Sequence, residues 1–285
     1  MNEPKPVTAA MTLPLTSEAF GPSEKTTIYW LAGAAFLINS RGTLIMIDPV
    51  LKTKPNDSQI SEIDLKLKVK FPIDAVDVPK LNALLYTHSD EDHLAVGTAL
   101  DLALLKPEIV GPAPVYQKLV QIGVDRDLIE MCRTGDQFTI GPVTVEVTPA
   151  DHPHQLLDAP HHEKPFRKDD CCGFILNTPD GRFYFPGDTR LMEEHLLIKD
   201  IDVLALDVSV CSYHLNHLGA TVLANCLKDA LLIPYHYGTY DVPGHVAYNG
   251  DPQDVFDNTA QGAARSRVLA PGEPFAFKEG HEFKS

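Results

Sequence analysis

Apolar positions along the chain come in short runs of strand length, broken by turn-forming residues. The runs at 27–31, 35–38 and 44–47 are separated by Ala32-Gly33 and by Ser40-Arg41-Gly42, which predicts a β-meander. The third run stops at Asp48-Pro49. Proline cannot donate to a ladder, so Asp48 is expected at the C-terminal edge of a strand. Residues 50–80 are polar and interrupted by prolines, predicting a long loop with at most one short element. A strand over 83–87, a helix over about 94–105, a strand over 108–110 and a helix over 114–122 follow. Residues 137–148 read as a hairpin turning at Gly141-Pro142. The second half repeats the rhythm, with strands at 173–177, 182–185 and 203–206, a helix over 220–228, a strand at 231–234 and closing strands within 267–277. Two β-rich halves, each with helices, predict an α/β chain built as an αββα sandwich: two mixed sheets face to face with helices outside. The sequence shows no repeat of fixed period, which argues against a solenoid.

Composition narrows this picture. The chain has 285 residues, 44% of them hydrophobic, enough to bury one large core. Residues 1–25, rich in Pro, Thr, Ser and Ala, are expected to form a flexible arm, and 26–285 a single domain. No apolar run approaches the ~20 residues that a membrane helix needs. The N-terminal stretch lacks the basic start and apolar core of a signal peptide, so a cytoplasmic protein with no membrane partner is expected. The five cysteines form no CxxC pair and read as buried free thiols. A formal net charge of -15 argues against nucleic acid and leaves a small-molecule substrate as the expected partner, with homo-oligomerisation open.

The chemistry concentrates in one hexapeptide. His88-Ser89-Asp90-Glu91-Asp92-His93 directly follows the 83–87 run, so a tight loop can aim several side chains at one or two ions. Imidazole with carboxylate suits zinc, manganese or iron. Glu91, between two candidate ligands, is expected to face solvent. Further candidates end strand-like runs: His152 or the nearby His154, Asp188 in Phe185-Pro186-Gly187-Asp188, and His236 in Ile233-Pro234-Tyr235-His236. Strand ends are rigid platforms for such groups.

In this order the motifs resemble the metallo-β-lactamase superfamily, whose pattern runs from a strand-end Asp through HxHxDH, a later His, an Asp in a Gly-Asp pair and a final His. The matching positions are Asp48, His88 to His93, His152, Asp188 and His236. Within that superfamily, the segments 80–88, 169–181 and 233–239 look most like L-ascorbate-6-phosphate lactonase-like hydrolases.

The resemblance implies two divalent metal ions. His88, Asp90 and His152 would hold the first, Asp92, His93 and His236 the second, and Asp188 would bridge them. Asp48 would orient a ligand by hydrogen bonding. The implied reaction is hydrolysis of a cyclic ester or lactone, extended to phosphorylated forms, by a hydroxide shared between the ions. Asp92 would also accept a proton. His217, which together with His214 precedes the 220–228 helix, matches the active-site histidine that phospholipase-D-like members place there. It would protonate the leaving group or stabilise the oxyanion. His161, His162, Arg167, Lys168 and Tyr237 are candidate substrate contacts, the two cations as an anion grip. Where the superfamily has its second histidine, this chain has Asp90, a harder donor that shifts preference toward manganese or iron. The alternatives are a phosphodiesterase on a small substrate and, because of Asp90, a diiron redox protein.

Overall fold

The computed structural model describes residues 7–152, 169–242 and 249–277. In chain order the strands are β1 (Thr27–Trp30), β2 (Phe36–Ser40), β3 (Thr43–Ile47), β4 (Thr53–Lys54), β5 (Asp57–Ser61), β6 (Ala83–Leu85), β7 (Glu108–Gly111), β8 (Ile129–Met131), β9 (Gln137–Ile140), β10 (Val143–Pro149), β11 (Cys172–Thr178), β12 (Gly181–Phe185), β13 (Val203–Asp207), β14 (Leu231–Tyr235) and β15 (Pro274–Ala276). The helices are α1 (Val96–Ala103), α2 (Ala113–Gln121), α3 (Asn216–Cys226), α4 (Pro252–Phe256) and α5 (Gly262–Arg265).

Two mixed sheets form the body. The first runs β15-β1-β2-β3-β6-β7-β8, antiparallel as far as β3 and parallel from β3 to β8. The second runs β14-β13-β12-β11-β10-β9, parallel over β12 to β14 and antiparallel beyond. Alternation along the strands divides the apolar side chains between two layers. Phe36, Ile38, Ile45, Ile47 and Leu85 face the core between the sheets, while Leu37, Leu44, Met46 and Leu84 face a second core with Leu102, Val115 and Leu119 of α1 and α2. Both faces of the first sheet are thus covered, as its near-continuous apolar runs require.

The sandwich and the strand order along the chain agree with the expectation. Differences lie in elements with weak patterns. The 50–80 loop holds the small β4–β5 hairpin, and β8 forms an edge strand that periodicity missed because Glu130 and Met131 are exposed. Helix α3 begins four residues earlier than expected, since the Asn216 side chain accepts from the N–H groups of Leu218 and Gly219 and starts the first turn.

Over its described residues the N-terminal segment also departs from the expected loose arm. Ala9 N donates to Gly238 O at 3.0 Å, Leu13 N to Pro271 O at 2.8 Å, and Leu15 N to Pro72 O at 2.9 Å. Extended backbone has free donors and acceptors, and here loops of the body satisfy them. The approach is close: a Cβ on Gly238 would lie 2.4 Å from Ala9 N. Among the described residues no helix is long and apolar enough to cross a membrane.

Candidate metal centre

Strands β3, β6, β10, β12, β13 and β14 end at the same edge of the sandwich, and the residues at or just after their ends are the polar ones. Asp48 follows β3, the His88 to His93 loop follows β6, His152 follows β10, Asp188 follows β12, Asp207 ends β13 and His236 follows β14. The hexapeptide closes on itself, with the N–H groups of His93 and Leu94 donating to Asp90 O at 3.1 and 2.8 Å. Helix α1, just downstream, has no cap of its own at Ala95. Instead, Glu62 from the long loop accepts from the N–H groups of Gly97 and Thr98. Asp48 (φ 46°) and His236 (φ 61°) both adopt left-handed backbone, a conformation that costs energy and redirects the side chain at the strand end. Gly187 (φ 67°) permits the approach of the Asp188 turn, because a Cβ there would meet Thr87 Cβ at 2.8 Å.

These loops bring the donors together. Donor atoms of Asp92, His93, Asp188 and His236 lie within 4.8 Å of one another, as do those of His88, His152 and Asp188. Asp188 belongs to both groups. Its Oδ2 is 3.1 Å from His93 Nε2 and 3.4 Å from His236 Nε2. Asp90 Oδ2 sits 3.3 Å from His152 Nε2 and 3.6 Å from His88 Nε2, and Asp92 Oδ2 is 3.4 Å from His236 Nε2. Oδ1 of Asp188 is buried with no hydrogen-bond partner, and the buried Nε2 atoms of His88 and His93 face the carboxylates of Asp90 and Asp188 without a regular hydrogen bond. Buried polar atoms are seldom left so, and this donor set of imidazole nitrogens and carboxylate oxygens fits divalent ions.

A second layer sets the tautomers. Asp48 accepts from Thr87 N at 2.8 Å and from the Thr87 hydroxyl at 2.6 Å. With its proton committed there, Thr87 Oγ1 can only accept from His88 Nδ1, 3.0 Å away. His93 Nδ1 donates to Asp48 Oδ2 at 2.8 Å, and His152 Nδ1 to the Tyr213 carbonyl at 3.0 Å. In all three rings Nδ1 carries the proton and Nε2 is free to ligate, the usual arrangement behind metal-binding histidines.

Electrostatics reinforce the cluster. Burial would raise the Asp90 carboxyl, but His152 and His88 pull it well below the usual carboxylate range. Asp188, against the same cost of burial, is held down by His214, His93 and His236. Burial lowers His93 and His236, yet Asp188 beside both, with Asp48 at the first and Asp92 at the second, raises them well above an ordinary imidazole. His88 is lowered by burial and by its neighbour His93, and His152 is raised by Asp90 in spite of burial. Divalent ions entering here would displace protons, so their binding would depend on pH.

Of the remaining candidates, His217 lies in the first turn of α3 with Nδ1 3.7 Å from Asp254 and its Nε2 toward Gly250. The histidine that reaches the cluster from this segment is His214, with Nε2 3.5 Å from Asp188 Oδ2 and Nδ1 2.7 Å from Asp207 Oδ2. The early start of α3 accounts for the exchange, since it turns His217 toward α4. Asp207 carried a signal that went unread, being a carboxylate at the end of an apolar strand like Asp48. Tyr237 is buried and stacked on Trp30, with ring centroids 5.1 Å apart, whereas Tyr213 is 43% exposed. Glu91 is exposed. His154, His161, His162, Arg167 and Lys168 lie outside the described residues. Cys132, Cys171 and Cys172 are buried free thiols, while Cys226 is exposed.

Comparison with known proteins places this centre in context. Residues 43–282 match the family described as Beta-lactamase superfamily domain. A UPF0173 metal-dependent hydrolase of Pyrobaculum arsenaticum is 27% identical over 253 residues, covering 86% of this chain and 97% of the relative. Among solved structures, Igni18, a metallo hydrolase of Ignicoccus hospitalis, superposes with a TM-score of 0.65 at 21% identity, covering 91% of this chain and all of that one (100%). The diiron beta-hydroxylase CmlA of Streptomyces venezuelae gives 0.65 at 14% identity, covering 90% of this chain and 55% of that one. The family match spans most of the chain and the sandwich is shared with both structures, so the chain belongs to the beta-lactamase superfamily of metal-dependent hydrolases and has the metallo-β-lactamase fold.

Proposed function

We propose that the chain hydrolyses a lactone or other small cyclic ester at a two-ion centre formed by His88, Asp90, His152, Asp92, His93 and His236, with Asp188 shared. The observation that carries this reading is the convergence of the buried Nε2 atoms of His88 and His93 with the carboxylate of Asp188, whose Oδ1 has no hydrogen-bond partner. Two divalent ions held there would supply Lewis acidity and would lower the pKa of a water from ~15.7 toward about 7. The chain's own residues do the rest. Asp48 and Thr87 fix His88 and His93, and the Tyr213 carbonyl fixes His152. The Asp207–His214 pair, with the imidazole Nδ1 on Asp207 and Nε2 beside Asp188, is placed to pass a proton to the leaving oxygen, the role expected of a general acid. Among the described residues, Tyr213, exposed beside His152, is placed to meet substrate.

The test is a hydrolysis panel on protein stripped of metal and reloaded separately with zinc, manganese or iron. It includes plain and phosphorylated lactones, linear esters and small phosphodiesters. Turnover of lactones above linear esters supports the proposal, and turnover of phosphodiesters alone transfers it to the phosphodiesterase reading. Asp90 favours a second reading, a diiron redox centre, because a carboxylate suits iron and the fold is shared with a diiron beta-hydroxylase. Reductant-dependent oxygen uptake by the iron-loaded protein, without hydrolysis of any ester, would establish that reading instead.

A further inference from the structure

Helix α2 packs on β7 and β8 at the outer face of the first sheet and buries Pro114, Val115, Lys118 and Leu119. Three of these are ordinary core residues; Lys118 is not. It is only 4% exposed, and its Nζ donates to the Ser89 carbonyl at 2.7 Å. Ser89 stands between His88 and Asp90, so the amine grips the ligand loop from behind. An unpaired buried cation costs several kcal/mol, and a methionine would fill the same space without that cost. Burial pulls the Lys118 amine below its ordinary value, while Glu91, Asp90, Asp92 and Glu62 favour its charged form.

The charge of the centre explains the residue. Asp48, Asp90, Asp92, Asp188 and Asp207 place five carboxylates around it. A histidine at position 90 would remove one of those carboxylates. We infer that Lys118 is a positioning residue that holds the His88 to His93 loop through the Ser89 carbonyl, its buried charge offsetting the carboxylates of that loop so that one of them can stand at position 90 among the ligands. This inference rests on the two-ion reading.

The experiment measures metal binding and needs no substrate. Wild type, Lys118→Gln, Lys118→Met, Lys118→Arg, Asp90→Asn and the Lys118→Gln/Asp90→Asn pair are stripped of metal and dialysed against manganese or zinc, with a thermal melt of each metal-free protein. Glutamine keeps a donor for Ser89 and removes the charge. It is expected to weaken metal binding at least about tenfold, the scale of supporting residues around metal ligands, and arginine to stay within about threefold of wild type. In the Asp90→Asn background the cost of Lys118→Gln is expected to shrink below about threefold, because the charge it balanced is gone. An equal cost in both backgrounds, or full affinity in Lys118→Gln, overturns the inference. If the glutamine and methionine variants do not fold, the arginine variant decides: a tenfold loss there overturns it as well. Wild type binding under about 0.2 ion per chain removes the two-ion reading itself, a result distinct from all of these because it appears before any substitution is made.

Discussion

Replacing Asp48 by alanine removes the acceptor of three buried hydrogen bonds, from Thr87 N at 2.8 Å, the Thr87 hydroxyl at 2.6 Å and His93 Nδ1 at 2.8 Å. A buried donor left unpaired costs about 1–3 kcal/mol. With partial relaxation, the three together destabilise the metal-free protein by roughly 3–5 kcal/mol, the range for breaking one side of a buried charged pair. At about 2–4 °C per kcal/mol for a large domain, the melting temperature falls by about 10 °C. Asp48→Asn separates stability from metal binding. Its amide keeps one acceptor oxygen for Thr87 but presents an N–H toward His93 Nδ1. The imidazole must then accept at Nδ1 and carry its proton on Nε2, the atom turned toward Asp188. The asparagine variant should therefore melt within about 2 kcal/mol of wild type yet bind metal about 10–100-fold more weakly. Differential scanning calorimetry reads the first effect and equilibrium dialysis the second. Wild-type metal affinity in the asparagine variant would refute the tautomer argument, and an alanine variant melting within 2 °C of wild type would refute the count of stranded donors.

Three other outcomes are expected. Asp188→Ala, which removes the carboxylate common to both donor groups, should lose bound metal and hydrolysis together, and full metal content by elemental analysis would reject its bridging role. His214→Ala should keep metal and lower the turnover rate by about 10²–10⁴-fold, the usual contribution of an acid–base group, whereas His217→Ala, on the α4 side, should change neither; kinetics on the reloaded variants decide. Asp180 is held down to about 2 by its hydrogen bonds from Arg41 and, beyond the opposing cost of burial, from Thr26. Its folded value lies below the ~3.9 of an unfolded aspartate, so its stabilisation is complete above about pH 4 and fades as pH falls toward 2. Urea titrations at pH 5 and pH 2.5 should show the gap between wild type and D180N narrowing at the lower pH, and a constant gap would contradict the assignment.

The candidate ligands of the first sheet stand out in the sequence because each ends an apolar run, as the His88 to His93 cluster does directly after Leu84-Leu85-Tyr86. The same rule reached Asp188 and His236. It failed between His214 and His217, because helical phase depends on where the first turn starts. That start is set by the Asn216 side chain and its left-handed backbone (φ 49°), a choice that composition does not encode. Lys118 was illegible for a related reason. On an amphipathic helix one lysine reads as part of the wet face, and only the packing of α2 on the sheet shows it pointing inward. The N-terminal segment misled in the opposite direction. Proline and threonine made it read as loose, but its partners are backbone atoms at Pro72, Gly238 and Pro271, which no side-chain pattern announces.

The pairing of β1 with β15, Thr27 against Ala276, sets an order of events during synthesis. The first sheet cannot close its edge until nearly the whole described chain has left the ribosome, and the Asp188–His236 side of the cluster waits for β14 to dock on β13. Contacts so distant in sequence make folding slow. Assembly of the cluster is therefore a late event, and the His88 to His93 loop is made long before the strand that places His236.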